Sequence, residues 1–486
     1  MCEILLIFPF YSYARKNPPL GLAYIAAVLE KNGYVVKIID ISAEGLSPTE
    51  LEARIRQEHP KLVGVSFMTP QIGEALRVTA LVKKINPRIA TIVGGPHVTA
   101  LPAETLVEES IDFVVIGEGE TTFLELTDKL IRNNNKELSD IEGIAYKKNG
   151  EVIITKPRPF IEDLDSLPFP AWHLLPVDKY CVISTGGKAS AQVFNVFSSR
   201  GCPNQCIFCG GPKIMGRRYR RRSAQNIIQE LIYLKNNFGA TQFDFQDDSV
   251  TVFKDSLREM CQEIIKQNLN ITWMCNSRVD ILDMDALLLM KKAGCVRIDL
   301  GVESGDGQVL KRIKKGITIE QVRKSHQMAK EAGIMINSFA MVGNLGEDFS
   351  GVKKTAELMK ELGEDVNVSI STPFPASELY QIAKENNWLR VYDWNKYVTA
   401  PTSLPGYEPV MVTDKMNQKE ILKAWYWLHA QLMTKKFQTR FGKFFLLNPR
   451  FYRDAPFKVR NFKELVHKTK MGLQLTKRLI SGLFRY

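Results

Sequence analysis

No window of this 486-residue sequence reaches about 18 uninterrupted apolar residues, so no helix of it is expected to span a membrane. It has no internal repeat and no low-complexity segment, which argues against a repeat array; its length suggests about three domains. The opening Met1-Cys2-Glu3-Ile4-Leu5 has neither a basic n-region nor a cleavage site, and its apolar stretch breaks at Pro9. That is no secretory signal. The chain is expected in the reducing cytoplasm, where disulfides do not persist. Among its eight cysteines there is no second C-x2-C, and no H-x3-H pair follows, so the closed four-ligand set of a structural zinc site is missing. Cys2, Cys181, Cys261, Cys275 and Cys295 stand singly and read as buried small hydrophobes. Net charge is also missing from most of the chain. Residues 1–434 carry 51 Lys+Arg against 51 Asp+Glu, and the surplus of +12 lies wholly in Lys435–Tyr486.

What is present begins with Ser199-Arg200-Gly201-Cys202-Pro203-Asn204-Gln205-Cys206-Ile207-Phe208-Cys209-Gly210-Gly211. Three thiolates at C-x3-C-x2-C spacing can each ligate a separate iron of a [4Fe-4S] cubane, which leaves the fourth iron without a protein ligand. That iron is a coordination site for substrate. Core cysteines grouped by chance would have to fall in this Gly/Pro/Asn-rich loop, where little is buried. The spacing, with Phe208 just ahead of the last cysteine, resembles the signature of radical S-adenosylmethionine (SAM) enzymes. The resemblance implies Cys202, Cys206 and Cys209 as the cluster ligands.

Ahead of that signature, strand and helix alternate. Ile4–Phe8, Val35–Asp40, Leu62–Phe67, Ala90–Val93 and Phe113–Ile116 read as strands, with helices over Gly21–Lys31, Gly73–Ile85 and Ala103–Glu109. This pattern predicts a doubly wound parallel sheet whose ligands sit beyond the carboxyl ends of the strands. The loops there hold Pro18-Pro19-Leu20-Gly21-Leu22, Ser66-Phe67-Met68-Thr69, Gly94-Gly95-Pro96-His97 and Gly117-Glu118-Gly119-Glu120. Paired glycines let a backbone approach a bulky ligand. The layout resembles the cobalamin-binding domain that precedes many radical SAM cores, and implies Gly21, Ser66, Thr69, Gly94, Gly95, Gly117, Glu118 and Gly119 as cobalamin contacts. Many such domains place an axial histidine in a D-x-H-x-x-G after the first strand. Here that loop has no histidine, and Asp40-Ile41-Ser42-Ala43-Glu44-Gly45 matches the spacing only after the second strand. His97 is the nearby imidazole, readable either as a cofactor contact or as a loop residue packed on Pro96.

The expected division is 1–135 for the cobalamin domain, 136–187 for a connector, 188–395 for the radical SAM core and 396–486 for a basic helical region. The connector holds a hairpin turning at Asn149-Gly150 and a Pro-interrupted strap at Leu164–Pro170. From Val193 the chain resembles the radical SAM core. The fold class expected is α/β: an N-terminal doubly wound, Rossmann-like parallel sheet, then a partial TIM-like barrel, then a basic helical C-terminal tail. Six core strands are expected near Val193–Ser198, Gln242–Phe245, Ile271–Cys275, Val296–Leu300, Met335–Val342 and Val366–Ile370, with functional residues on the loops at their carboxyl ends. The resemblance implies that backbone near Phe208 contacts adenine. It also implies that Gln246, Asp247 and Asp248 meet the SAM amino group, and that Glu303, Ser304 and Arg278 meet its ribose or carboxylate. Asp247 and Asp248 have a lesser reading as caps of the following segment, and Arg278 reads equally as a tie across the barrel rim.

Cobalamin placed before the cluster implies methylation of an unactivated carbon, with one SAM as methyl source and another as radical source; the basic tail, as a membrane-surface element, would suit a small hydrophobic substrate. Magnesium-protoporphyrin ester cyclases share this domain order, so oxidative ring closure is the alternative. An RNA-modifying methylthiotransferase is a further class, but it uses three more cysteines in its first domain, and residues 1–180 contain only Cys2. A non-enzymatic binding module would not need an open-iron cluster. The chemistry calls for an electron donor of flavodoxin or ferredoxin type. Arg217-Arg218-Tyr219-Arg220-Arg221-Arg222 resembles a nucleic-acid patch, yet it interleaves a single aromatic and sits near the cluster loop, so nucleic acid is a minor reading.

In the tail, Phe437, Phe441, Phe444 and Phe445 alternate with Lys435, Lys436, Arg440 and Lys443. Such a segment lies on an anionic membrane surface or caps the barrel mouth. For a surface element, each basic residue near the lipid contributes about 1 kcal/mol, weakening as salt rises. Truncation after Thr434 is then expected to abolish sedimentation with anionic liposomes while SAM cleavage persists. Equal sedimentation of the full and truncated chains would make the segment a cap.

Overall fold

The computed structural model describes residues 1–11, 17–132, 137–180, 192–363, 365–404 and 406–441, with backbone alone at 403 and 434–441. The first of two large sheets joins β1 (Ile4–Phe8), β2 (Val36–Asp40), β3 (Leu62–Ser66), β4 (Ala90–Gly94) and β5 (Phe113–Val115) in the order 2-1-3-4-5, all parallel. The run Ile4-Leu5-Leu6-Ile7 shows no polar alternation because helices cover both faces. Ile4 and Leu6 cluster with Leu22, Ala26 and Phe123, whereas Leu5 and Ile7 cluster with Leu51, Ile55 and Val78. Helix Pro48–Glu58 starts where Ser47 and Glu50 cap each other: the Glu50 N–H donates to Ser47 Oγ at 3.3 Å, and the Ser47 N–H to Glu50 Oε2 at 2.8 Å.

β6 (Ile144–Lys148) and β7 (Glu151–Ile154) extend this sheet antiparallel from β5. The hairpin turns on Asn149 (φ 53°) and Gly150 (φ 83°), the left-handed pair that a two-residue turn demands. Downstream, the strap buries Trp172, and the Tyr180 hydroxyl donates to Asp40 Oδ2 at 2.9 Å. Asp40 also caps the short helix Ile41–Glu44, and Ser42 Oγ accepts from the Tyr11 N–H at 2.6 Å. The D-x-S-x-x-G stretch is therefore a local helix turn.

β8 (Val193–Val196) opens the second domain. β9 (Ser199–Arg200) and β10 (Arg220–Arg221) then pair with each other as a two-stranded clip. β11 (Gln242–Phe245), β12 (Thr272–Ser277), β13 (Cys295–Glu303), β14 (Met335–Val342) and β15 (Asp365–Ile370) follow β8 in sequential order, all parallel, forming the partial barrel. Two loops expected after strands are strand instead. Asn276-Ser277 and Gly301-Val302-Glu303 end β12 and β13, because ladder pairing between these neighbours continues past the apolar run, with a register slip between Gly301 and Glu303.

Helix Gln418–Phe441 packs on helix Phe349–Leu362 and on β15, where Trp425 Nε1 donates to the Val368 carbonyl at 3.0 Å. The rest of the tail and Cys181 lie outside the described residues. Cys2, Cys261, Cys275 and Cys295 are buried, as expected. Among the described residues no helix is long and apolar enough to cross a membrane.

Gly64 breaks the apolar run of β3 for a packing reason: a Cβ there would meet Leu6 Cδ2 at 2.7 Å and Phe123 Cζ at 2.9 Å. Gly64→Ala is expected to destabilise by roughly 1–3 kcal/mol through overpacking, seen as a lowered Tm. Gly307→Ala, in a helix with nothing within 4 Å, should leave Tm level or raise it slightly.

Candidate active site

The cysteine loop hangs from the β9–β10 clip. Gly201 sits at φ 90°, where a Cβ would overlap the Arg218 carbonyl, so glycine is required before Cys202. The Cys202 N–H donates to the Gly216 carbonyl at 3.1 Å and closes the loop. Inside it, the Cys209 N–H reaches the Cys206 carbonyl at 3.1 Å, and Ile207 is held from both sides by Ile313 and Leu379. All three thiols are half-buried. Asn204 Nδ2 lies 3.3 Å from Cys202 Sγ, and the Gly211 N–H 3.4 Å from Cys209 Sγ. Burial pushes the Cys209 thiol up to about 11, with the Gly211 N–H pulling the other way. Burial raises Cys206 as well, opposed by the nearby Lys315 and Arg278 cations.

Among the described residues no three His, Cys, Asp or Glu side chains converge as ligands of one metal ion. A cubane has a different requirement, since it takes each thiolate on its own iron. The donor set present is three thiols with N–H groups directed at two of the sulfurs, and Cys206 and Cys209 line a cavity of about 390 Å³ with Lys213, Arg217 and Ala376. That chemistry fits a three-cysteine cluster.

The residues expected around SAM divide into two sets. Phe208, Asp248 and Glu303 stay beside the cysteines. The Phe208 ring lies 5.8 Å from Lys315 Nζ, and Lys315 pairs with Glu303 at 2.8 Å in a buried ion pair. Gly301 makes room for that pair, because a Cβ there would lie 2.5 Å from both Glu303 Oε1 and Lys315 Nζ. Glu303 itself is held at φ 68°, an uncommon conformation for a non-glycine residue. Asp248 is exposed, its two oxygens 3.4 Å from where a Gly211 Cβ would stand, next to Cys209 Sγ.

Asp247, Arg278 and Ser304 have side chains engaged by other residues of the chain. Asp247 is buried and accepts from the Ser198 N–H at 3.1 Å, from the Ser198 hydroxyl at 2.8 Å and from the Ser199 hydroxyl, so it anchors the segment entering the clip. Arg278 places its fork on Asp280, at 2.9 Å to each oxygen, and donates to the Lys315 carbonyl at 2.9 Å. The Arg278 fork is thus engaged by Asp280, while its charge also stands close enough to Cys206 to act on that thiol. Ser304 is fully buried and accepts from the Asp306 N–H at 3.1 Å. Gln246 is held by its backbone, N–H to the Val196 carbonyl at 2.9 Å. Lys315 gave no sign in the sequence, where it follows Lys314 in an ordinary basic turn.

The loops expected to meet cobalamin all lie at carboxyl ends of the first sheet. Gly21, in the first turn of its helix, and Gly117, at φ 79°, have nothing within 4 Å of a Cβ, and Gly94 has only the Val115 carbonyl at 4.0 Å. Gly95 holds φ 103° with a Cβ position 2.7 Å from the Phe67 carbonyl, which brings this loop against the end of β3 at Ser66. The Gly117 N–H donates to Thr99 Oγ1 at 3.0 Å, and Gly119 opens helix Gly119–Thr127. At Gly21, Gly94 and Gly117 the backbone is thus open to the approach of a bulky ligand. Thr69 is buried against His97, 3.3 Å from Nδ1. His97 is buried too, its ring between Phe67 and Trp394, and burial brings its pKa down to about 4. It is a neutral, packed imidazole. Trp394 and Asn395, unmarked in the sequence, reach back from beyond the barrel: Trp394 Nε1 donates to Glu104 at 2.7 Å, and the Gly73 N–H donates to Asn395 Oδ1 at 2.9 Å.

Glu118, expected among those contacts, instead turns its side chain into the domain junction. It pairs with Arg200 at 3.0 Å and Arg220 at 2.8 Å, while Arg200 also reaches Glu120 at 2.6 Å. Burial alone would raise the Glu118 carboxyl; the two arginines outweigh it and hold the group below the usual range. Of the rest of the run, Arg222 is buried on Glu230, Arg221 and Arg218 pair with Glu259 and Glu162 at the surface, and Arg217 borders the cavity beside Cys206. Of this basic run, Arg220 and Arg222 are thus buried structural members.

Residues 11–127 match the B12 binding domain family, and residues 196–397 match the Radical SAM superfamily. The chain is 35% identical over 430 residues to an uncharacterized methyltransferase of Pyrococcus horikoshii, covering 87% of this chain and 90% of that protein. It is 32% identical over 434 residues to an anaerobic magnesium-protoporphyrin IX monomethyl ester cyclase of Rubrivivax gelatinosus, covering 86% and 75%. Among solved structures, the cobalamin-dependent S-adenosylmethionine radical enzyme OxsB with aqua-cobalamin and S-adenosylmethionine bound aligns with a TM-score of 0.72 at 17% identity, over 99% of this chain and 72% of that one. At that identity the likeness is one of fold.

Asp247→Ala leaves Ser198 and Ser199 without their buried acceptor, a loss of roughly 1–3 kcal/mol, placed where the cysteine loop begins. Reconstituted protein is expected to hold less iron and sulfide per chain than wild type, whereas Asp248→Ala on the exposed rim should load fully. Full loading of Asp247→Ala would show that the loop does not depend on this anchor.

Proposed function

The chain belongs to the cobalamin-binding radical SAM family, and we propose that within it the protein methylates an unactivated carbon of a small hydrophobic substrate. The observation that carries this reading is the junction itself: Arg200, two residues ahead of Cys202, is ion-paired to Glu118 in the loop that ends β5. The loops suited to cobalamin and the loop suited to the cluster are thereby neighbours, as a reaction needing both a methyl source and a radical source requires. When bound, the cluster with SAM supplies one-electron cleavage of a sulfonium bond, and cobalamin supplies a transferable methyl group.

The chain's own residues hold and shield. Cys202, Cys206 and Cys209 are the proposed ligands, with Asn204 and the Gly211 N–H donating to sulfur. The Phe208 backbone, Gln246, Asp248 and the Glu303–Lys315 pair border the SAM side. Gly21, Gly94 and Gly117 leave the backbone open to a corrin, Gly95, Ser66 and Gly119 shape the loops around it by close packing, and Thr69 steadies the neutral His97. An electron donor of flavodoxin or ferredoxin type would reduce the cluster. Oxidative cyclisation is the second reading, favoured by the 32% identity to the Rubrivivax gelatinosus cyclase.

Anaerobic reconstitution tests the assignment. Wild type is expected to hold about four irons and four sulfides with one cobalamin, and to form 5′-deoxyadenosine. Cys202→Ala, Cys206→Ala and Cys209→Ala should each abolish that product. The electron paramagnetic resonance spectrum of bound cob(II)alamin should lack histidine nitrogen splitting. Unchanged deoxyadenosine in any cysteine variant, or no corrinoid uptake by wild type, would refute the reading.

A further inference from the structure

The loop Gly117-Glu118-Gly119-Glu120 has two sides with different surroundings. On its backbone side, Gly117 stands at the carboxyl end of the first sheet with open space around it. On its side-chain side, Glu118 and Glu120 are nearly out of water, 5% and 6% exposed, and so are their partners Arg200 and Arg220, at 9% and 2%. Those arginines face each other across the β9–β10 ladder, and the span between them contains all three cysteines of the loop. The connector joins at the same carboxylate: the Ile161 N–H donates to Glu118 at 2.7 Å, and the Ile161 carbonyl accepts from Arg220 at 2.7 Å.

Charges buried in this way are not released singly, because removal of one partner leaves the other uncompensated in a medium that solvates it poorly. A displacement of the glycine backbone is therefore transmitted to the clip that carries the cysteines. We propose that the Gly117–Glu120 loop couples the two cofactors, so that cobalamin on its glycine side and an ordered cluster on its carboxylate side each tighten the binding of the other. Glu118 is the positioning residue of this coupling, and by linkage the effect is equal in both directions. The inference rests on the functional reading above.

The test is the affinity of the full chain for hydroxocobalamin, measured by absorbance titration with and without the reconstituted cluster, in wild type and in E118Q. Wild type with its cluster is expected to bind on the order of tenfold more tightly than cluster-free wild type, and in E118Q the difference should fall away. A purely structural role would weaken both forms alike and preserve the ratio. Should E118Q fail to fold, E120Q, which leaves Glu118 with both arginines, should shrink the ratio. Wild type that takes up both cofactors with equal cobalamin affinity in the two forms overturns the coupling alone, as does an unchanged ratio in the variant. Wild type that takes up neither cofactor overturns the functional reading and this inference with it.

Discussion

Glu118, Glu120, Arg200 and Arg220 lie almost entirely out of water where the two sheets meet, and each can be there only because the others are. Removing one member of such a set costs about 3–5 kcal/mol, more than most surface contacts contribute. The set specifies geometry more than it adds stability, since apolar residues of equal volume would bury more cheaply. Two acids from the loop after β5 meet two bases from the clip around the cysteines, with the connector backbone bonded to both signs. Alternative dockings of the two domains would strand a buried ion, so one arrangement is selected.

From that arrangement the rest of the site follows. Parallel strands put loops, and with them glycines, at one end of each sheet. In the first sheet the loops combine freedom and closure, open at Gly21 and Gly117 but tight at Gly95, where a Cβ would press on Phe67. In the second, Gly201 leaves room for the Arg218 backbone and Gly301 for the Glu303–Lys315 pair beside the cysteine loop. Asp247 illustrates the division of labour. It spends its oxygens on Ser198 and Ser199, leaving the exposed Asp248 as the neighbouring carboxylate that faces Cys209.

The parallel strands were legible because each is an apolar run bounded by turn residues, and the cysteine spacing was legible because it is local. Side-chain direction was not. The partners of Glu118 lie 82 and 102 residues away, and the serines bound by Asp247 lie 48 and 49 residues away, distances over which spacing carries no information. The pair between Arg278 and Asp280 was missed although the two are only two residues apart, because no motif marks it. The length of β13 was missed because its last residues, Gly301 to Glu303, lack the apolar signature and are strand only through pairing with β14. Trp394 and Asn395 were invisible for want of any motif, although they tie the end of the barrel back to Gly73 and Glu104.

Charge shows the same limit most clearly. Five arginines within Arg217–Arg222 look in sequence like a surface made for a polyanion. In space Arg220 and Arg222 are buried against Glu118 and Glu230, and Arg218 and Arg221 each have a carboxylate. A basic motif is a basic surface only when its counter-ions are elsewhere. The equal count of acids and bases in residues 1–434 is matched here by carboxylates beside four of the five arginines, and the surplus of +12 is left to Lys435–Tyr486. Long-range attraction to an anionic partner is a property of net charge over a surface, so a run of cations is weighed by the counter-ions that stand beside it and not by its own count.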